Sequence, residues 1–596
     1  MTSTAVRGRR WLAVLAGAAC AAALAVLPAA DAATPAGGTV SDTSPTATWT
    51  AGPFLVPNVT GTAGSVSCTA ATPCDDFALT VDTPAGYDAG HQLRVEVKWP
   101  TSAADFDIYL LDAAGNEISS AASSSDPEVI LTAPTAGHYT VRVVPFAPLG
   151  ETVTGTASLV PTPANPPPST APAPTYSTTH APDSLKDAHN AGEPSVGNNF
   201  ATGATMYQAY TSTYKVDWDA AGTGTWAERS ANAANGCPQG SITSLDPILF
   251  TDHETGRTFE SQLGGKTALT CYSDDDGVAW HPTSGSGINS GVDHQTIGGG
   301  VFSAGGIGGL TAYKNAVYYC SQDIADASCA VSRDGGTTYG PAVPMYSLLD
   351  CGGLHGHVKV APDGTVYVPN KGCGGNQGVA VSEDNGTTWT LRKVPTSTPG
   401  DSDPSVGIGA DGTVYFGYQN SDGTPRVAVS HDKGKTWVGD QNVGVSLGIK
   451  NVVFPTVVAG DANRAAFAFI GTTTGGNYQD ASFAGVWHTY VATTYDGGVS
   501  WVTADATPTD PVQKGSICTG GTTCGNDRNL LDFIDVTIDK TGRVLVGYAD
   551  GCTGACATGG AQNYDALATI ARQTTGSTLF GAYDAIVTGK HKKSHR

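Results

Sequence analysis

The chain is 596 residues long, carries a formal net charge of −22, and has only 14% charged residues. That length exceeds one ordinary domain, and the acidic balance argues against a nucleic-acid partner, which needs a basic face for phosphate. With 76 glycines and 8% aromatic residues, the composition favours many short strands and turns over helices, an all-β class.

Residues 1–32 read as a secretory signal. Arg7, Arg9 and Arg10 form its charged region, Trp11 to Leu27 its apolar stretch, and Ala30-Asp31-Ala32 a small-residue cleavage site. The mature chain is expected to start near Ala33 and to be secreted. Arg9-Arg10 fits twin-arginine export, and no other apolar run is long enough to span a membrane. Of 13 cysteines, Cys20 lies in the signal. The other twelve fall into sequence neighbours: Cys68/Cys74, Cys237/Cys271, Cys320/Cys329, Cys351/Cys373, Cys518/Cys524 and Cys552/Cys556. Neighbour pairing into disulfides is the hypothesis that suits an oxidising compartment, although sequence alone leaves connectivity open. Metal binding is the alternative, with spacing unlike a zinc ribbon.

Residues 33–160 form a first module. Leu93-Arg94-Val95-Glu96-Val97-Lys98-Trp99 alternates with period two, as a half-buried strand does. Asp107–Leu111 and Tyr139–Val144 read as further strands, with a turn at Asp112–Asn116. The runs Ala104-Asp105-Phe106-Asp107-Ile108-Tyr109-Leu110 and Ala136-Gly137-His138-Tyr139-Thr140-Val141-Arg142-Val143 resemble the bacterial pre-peptidase C-terminal domain. That resemblance implies a small jelly-roll-like β-sandwich with an accessory role in substrate or surface binding. Asp75, Asp76, Asp105 and Asp107 are acids that could bind calcium, although acids near turns are usually just solvated; no other cofactor is expected. Residues 161–182, with Pro166-Pro167-Pro168, read as a stiff extended linker.

In residues 183–583 one pattern, Ser/Thr-x-Asp-x-Gly-x-x-aromatic, occurs five times. The copies run Ser273 to Trp280, Ser332 to Tyr339, Ser382 to Trp389, Ser430 to Trp437 and Thr494 to Trp501, so their starts are 59, 50, 48 and 64 residues apart. A period near 50 residues suits four-stranded propeller blades. The Ser and Asp can hold a tight turn, and the Gly can take positive φ. A second element precedes the boxes, a turn between two strands. It occurs at Thr202-Gly203, Thr255-Gly256, Lys314-Asn315, Asp363-Gly364, Asp411-Gly412, Ala462-Asn463 and Thr541-Gly542, which gives a count of seven blades, with six as the alternative. Trp226 follows a distorted box, and Gln573 to Phe580 looks like another. The pattern is the Asp-box, and the region resembles the sialidase-like, or BNR-repeat, β-propellers. Residues 584–596 are a short basic tail, read as a solvated end.

Residues leading into the first strand of each blade converge near the axis. They are Glu193-Pro194-Ser195-Val196, Asp246-Pro247-Ile248, Asp293-His294-Gln295, His355-Gly356-His357-Val358, Asp403-Pro404-Ser405-Val406, Lys450-Asn451 ahead of Phe454-Pro455, and Asp532-Phe533-Ile534-Asp535. An acid before Pro caps a turn, which offers a structural reading of Glu193, Asp246 and Asp403. The functional reading is a polar ring around a central pocket. The resemblance implies glycan chemistry, and a glycosidase needs two carboxylates; Asp246, Asp403 and Asp532 are the candidate catalytic residues. Glu193, His294, His355, His357, Lys371, Arg426 and Arg528 are the candidate substrate-binding residues, the cations suited to an anionic sugar. Lys266 is a further basic candidate. His294, His355 and His357 also allow a weaker reading as a metal-dependent enzyme. The chain departs from the sialidase pattern: no Phe/Tyr-Arg-Ile-Pro motif precedes the first box, and Arg257 and Arg543 lie in the distal turns. The expected function is a secreted sialidase-like glycoside hydrolase acting on extracellular glycans. The alternative is a non-catalytic propeller that binds glycan or glycoprotein at the cell surface.

Overall fold

The computed structural model describes residues 33–584 apart from 61–65, 67, 70, 102–103, 123–125, 162–168, 238–243, 245, 265–267, 284–292, 323–325 and 348. Residues 1–32, Pro166-Pro167-Pro168, Lys266 and residues 585–596 lie outside the described residues. No helix among them is long and apolar enough to cross a membrane.

The first module is a two-sheet sandwich. One sheet orders Gly37–Ser41, Asp75–Asp82, Gly137–Ala147, Asp105–Leu111 and Glu117–Ala121; the other orders Thr46–Ala51, Val153–Pro161, His91–Lys98 and Glu128–Thr132. The alternation in the His91–Lys98 strand sends Leu93, Val95 and Val97 into the core, where Trp49 stacks on Phe77 at 4.0 Å. Asp76 forms a two-point ion pair with Arg142, both contacts 2.8 Å. Asp105 and Asp107 are largely buried, and burial pushes their carboxyls up to about 6 and about 7.

Residues 176–573 form seven further sheets of four strands each, with Gln513–Lys514 added to the sixth. Their first strands are Ser195–Asn198, Pro247–Thr251, Asp293–Val301, Lys359–Val360, Ser405–Ile408, Asn451–Ala459 and Asp535–Ile538. Each touches the first strand of the next sheet, and the last touches the first. All seven turns anticipated from sequence join first to second strands. The third is longer than a hairpin, because Val301 and Asn315 are the facing ends of its strands.

The seventh sheet is completed from elsewhere. Its outer strand is Tyr176–His180, paired with Leu567–Gln573. Residues 176–180, assigned to the linker from sequence, therefore belong to the sheet array. Gln573 to Phe580 does not lead into a fourth strand, because that place is already filled.

The five boxes form one repeated turn. In each, the Ser or Thr hydroxyl donates to the Asp carboxylate at 2.8–2.9 Å and accepts from the Gly N–H at 2.7–2.9 Å. The Gly residues take φ between 77° and 87°, a region that disfavours any side chain. The turns join third to fourth strands. The twelve cysteines after Cys20 form the six neighbour disulfides anticipated, Cys68–Cys74, Cys237–Cys271, Cys320–Cys329, Cys351–Cys373, Cys518–Cys524 and Cys552–Cys556.

Candidate functional site

The first strands are latched to one another by side chains at their starts. Asp246 Oδ2 accepts from Gln295 N at 2.5 Å, and Asp535 Oδ2 accepts from Val196 N at 3.0 Å. Thr296 Oγ1 accepts from Val358 N at 3.0 Å, and Ser405 Oγ from Val457 N at 3.0 Å. Gly356 is required at one such junction, since a Cβ there would collide with the Pro404 carbonyl. The latch explains part of the acid-before-strand pattern as architecture: Asp246 and Asp535 satisfy backbone donors of the neighbouring sheet.

One small opening is lined by His294, Gly356, His357, Asp403, Pro404, Ser405, Pro455, Thr456, Phe533 and Ile534. His294 stands between two carboxylates, with Nδ1 3.7 Å from Asp246 and Nε2 3.4 Å from Asp403. Asp403 also meets Lys371 Nζ at 3.3 Å, and Lys371 donates to the Asp401 carbonyl at 2.7 Å. Burial opposes the charge on Lys371, but Asp403, Asp401 and Asp532 outweigh it and hold the ammonium above its ordinary range. Arg528 grips Asp532 with two contacts of 2.7 and 2.6 Å.

Glu193 is buried beside this cluster. Burial first, then Asp246 and Asp532, raise its carboxyl well above the ordinary range, against the pull of Arg528. It therefore holds its proton where an ordinary glutamate has lost it. Burial, with His294 next, pushes His355 down to about 3. Burial, with Lys359 next, drives His357 well below its usual value. Both rings are neutral. His355 lies 4.7 Å from the His294 ring, and His357 lies 4.7 Å from Phe533, ring centre to ring centre.

Backbone irregularity concentrates here. Glu193, His294, Phe454 and Leu531 take φ of 55°, 64°, 59° and 58°, a left-handed region that costs non-glycine residues about 1–3 kcal/mol each. His294 and Phe454 also sit at register shifts in their strands, and such bulges re-aim side chains.

The structure thus brings together Glu193, Asp246, His294, His355, His357, Lys371, Asp403, Arg528 and Asp532. It does not bring Arg426. That side chain lies in the third strand of the fifth sheet, Pro425–Ser430. It is buried against Asp422 at 3.4 Å and Asp440 at 3.9 Å, so its charge is taken up internally. Arg257 pairs with Asp274 and Arg543 with Asp539, both near the distal turns. Asp401 and Tyr478 were not anticipated. Tyr478 donates to Asp401 Oδ2 at 2.6 Å, and only the acid pair Asp401-Ser402-Asp403 marks this place in sequence. Among the described residues no group of three or more His, Cys, Asp or Glu side chains is arranged to hold a metal ion. The opening itself is tight, with a cavity of about 20 Å³, room for little more than a water molecule.

Residues 87–145 match the family described as the bacterial pre-peptidase C-terminal domain, within the sandwich. No curated protein matches the chain in sequence. Solved structures similar to it include a Hadza microbial sialidase, at 12% identity and TM-score 0.32, covering 87% of this chain and 98% of that one. A xyloglucanase from Xanthomonas campestris is similar at 14% identity and TM-score 0.40, covering 63% of this chain and 53% of that one. A mutant Trypanosoma rangeli sialidase displaying trans-sialidase activity is similar at 14% identity and TM-score 0.33, covering 66% and 61%. Likeness at this level carries nothing about the reaction.

Proposed function

We propose that residues 176–573 are a seven-bladed β-propeller and that the opening at the start of its inner strands belongs to a secreted glycoside hydrolase acting on extracellular glycans. The observation that carries this reading is the grouping of Glu193, Asp403, Asp532 and Lys371, from separate sheets, within electrostatic reach of one another beside an opening that Asp403 lines. Buried charge is costly to hold, and the latches between sheets described above are made by other residues, Asp246, Asp535, Thr296 and Ser405. Four strained residues at the same place point the same way.

The roles follow from the environments. Glu193 keeps its proton and is the general acid. Asp403, which lines the opening and pairs with Lys371, is the opposing carboxylate. Asp532, fixed by Arg528, lies beside Glu193 and keeps its proton in place. Asp246 and Asp403 do not form a catalytic pair with a sugar between them, because His294 occupies that space. Lys371 and Arg528 favour an anionic sugar. The test is hydrolysis of a panel of chromogenic glycosides, uronides and a sialoside included, by wild type and by Glu193→Gln, Asp403→Asn and Asp532→Asn. Turnover lost in Glu193→Gln and Asp403→Asn with the fold intact supports the assignment. Turnover unchanged in both overturns it.

A second reading, a non-catalytic glycan-binding propeller, is favoured by one observation, the size of the cavity. It cannot enclose a sugar ring as it stands. Saturable binding of an oligosaccharide without turnover across the panel would select it.

A further inference from the structure

The backbone N–H of Ala33 donates to Asp75 Oδ1 at 2.7 Å inside the sandwich. Ala33 is 4% exposed and Asp75 5%. Asp75 Oδ2 is also buried and has no hydrogen-bond partner. Residue 33 is held in this place by Thr34, whose N–H and carbonyl both pair with Thr50, at 2.8 and 3.1 Å. The neighbouring Asp76 is occupied by Arg142. A buried carboxylate served by one neutral donor is poorly compensated. Burial pushes Asp75 up to about 6, opposed by the Ala33 N–H and assisted by Asp76. The residues just before Ala33 are Ala30-Asp31-Ala32, the small-residue pattern of a processing site.

We infer that hydrolysis of the Ala32–Ala33 peptide bond by a signal-type peptidase creates an α-ammonium group for which Asp75 is the built receptor, so that processing completes a buried ion pair and locks the sandwich. The step consumes one water. Ala32 leaves with a carboxylate, and the nitrogen of Ala33 becomes an amine that takes a proton from solvent. Before cleavage Asp75 faces a single amide N–H. Afterwards the same nitrogen offers three donors and a positive charge, enough for both carboxylate oxygens. The inference rests on the secretory reading of residues 1–32 and is independent of the glycan reading.

The test uses the full secreted chain. N-terminal sequencing is expected to begin at Ala33. Inserting one Ser before Ala33 should lower the Tm of the sandwich transition in calorimetry by at least about 4 °C. The same insertion in an Asp75→Asn background should leave Tm unchanged, since the partner charge is gone. If Asp75→Asn does not fold, the wild-type α-amine supplies the reading: paired, it should react with an amine-acylating reagent at pH 8 at least about tenfold more slowly than in the denatured chain. A different N-terminus, an insertion without effect on Tm, an effect that persists without the carboxylate, or an α-amine that reacts at the denatured rate would each overturn the inference.

Discussion

Glu193→Gln separates the proton held by this side chain from the packing around it. Glutamine has the shape of the protonated acid, and its amide N–H₂ can face Asp532 as the carboxyl proton does. The ordinary value for Glu193 is 4.5, and burial, Asp246 and Asp532 raise it well above that in the folded chain. Between the two values the unfolded chain has released a proton that the folded chain keeps. Stability therefore falls as pH rises through that window, by about 1.4 kcal/mol per pH unit. Glutamine ionises in neither state and lacks this slope. Wild type and variant should be alike near pH 4. Above it the variant gains with that slope until the folded-state value is passed. Denaturant unfolding at half-unit steps from pH 4 to pH 8 measures this difference. Other buried acids such as Glu260 and Asp550, both pushed up to about 7 by burial first, titrate in both proteins and cancel. Activity on whichever glycoside responds should fall about 100- to 10,000-fold. A stability difference that does not change with pH would mean that Glu193 ionises as an ordinary glutamate, and the acid role would fall with it.

Other perturbations test neighbouring parts of the argument. Asp246→Asn keeps an oxygen for the Gln295 N–H but removes the charge 3.7 Å from His294; the fold should survive, as measured by urea midpoint. His355, held near 3, should show no imidazole titration between pH 5 and 8 by nitrogen NMR. Arg426→Met leaves Asp422 and Asp440 buried without their cation, which should cost about 3–5 kcal/mol of stability with activity per folded molecule unchanged. Ser382→Ala removes the hydroxyl shared by Gly386 and Asp384 and should cost about 1 kcal/mol, again with activity unchanged, as measured by urea midpoint.

What was legible in sequence was local. The box is a five-residue hydrogen-bond pattern closed by Ser, Asp and Gly, so its residues must recur at fixed offsets wherever the turn forms. The inner turns were visible for the same reason, through Gly or Asn at a left-handed position such as Gly364 or Asn463. The site was legible to the extent that the ring of first strands converts sequence position into spatial position. Residues just before such strands are carried toward the same end of the ring, and His294, His357 and Asp403 line the opening there. Arg426 failed because it lies inside a third strand, where a charge is buried only if partners meet it, and Asp422 and Asp440 do. The outer strand Tyr176–His180 was not legible, since its partner Leu567–Gln573 is almost four hundred residues away and nothing local marks the pairing.

The same strand starts serve two purposes, and the structure shows how these are divided. A first strand needs an acceptor for the exposed N–H of the adjacent sheet, and Asp, Thr or Ser can each supply it. Thr296 and Ser405 do so without charge, so a carboxylate at Asp246 or Asp535 is more than the latch requires. Each added carboxylate raises the proton affinity of the others, and buried Glu193, raised by Asp246 and Asp532, carries the consequence. Lys371 and Arg528 offset only part of this, holding Asp403 and Asp532 while leaving Glu193 without a direct cation. An architecture of neutral latches would fold as well and with less strain. The surplus of charge, gathered at bulged and left-handed backbone, is more than the latches of a ring of sheets require.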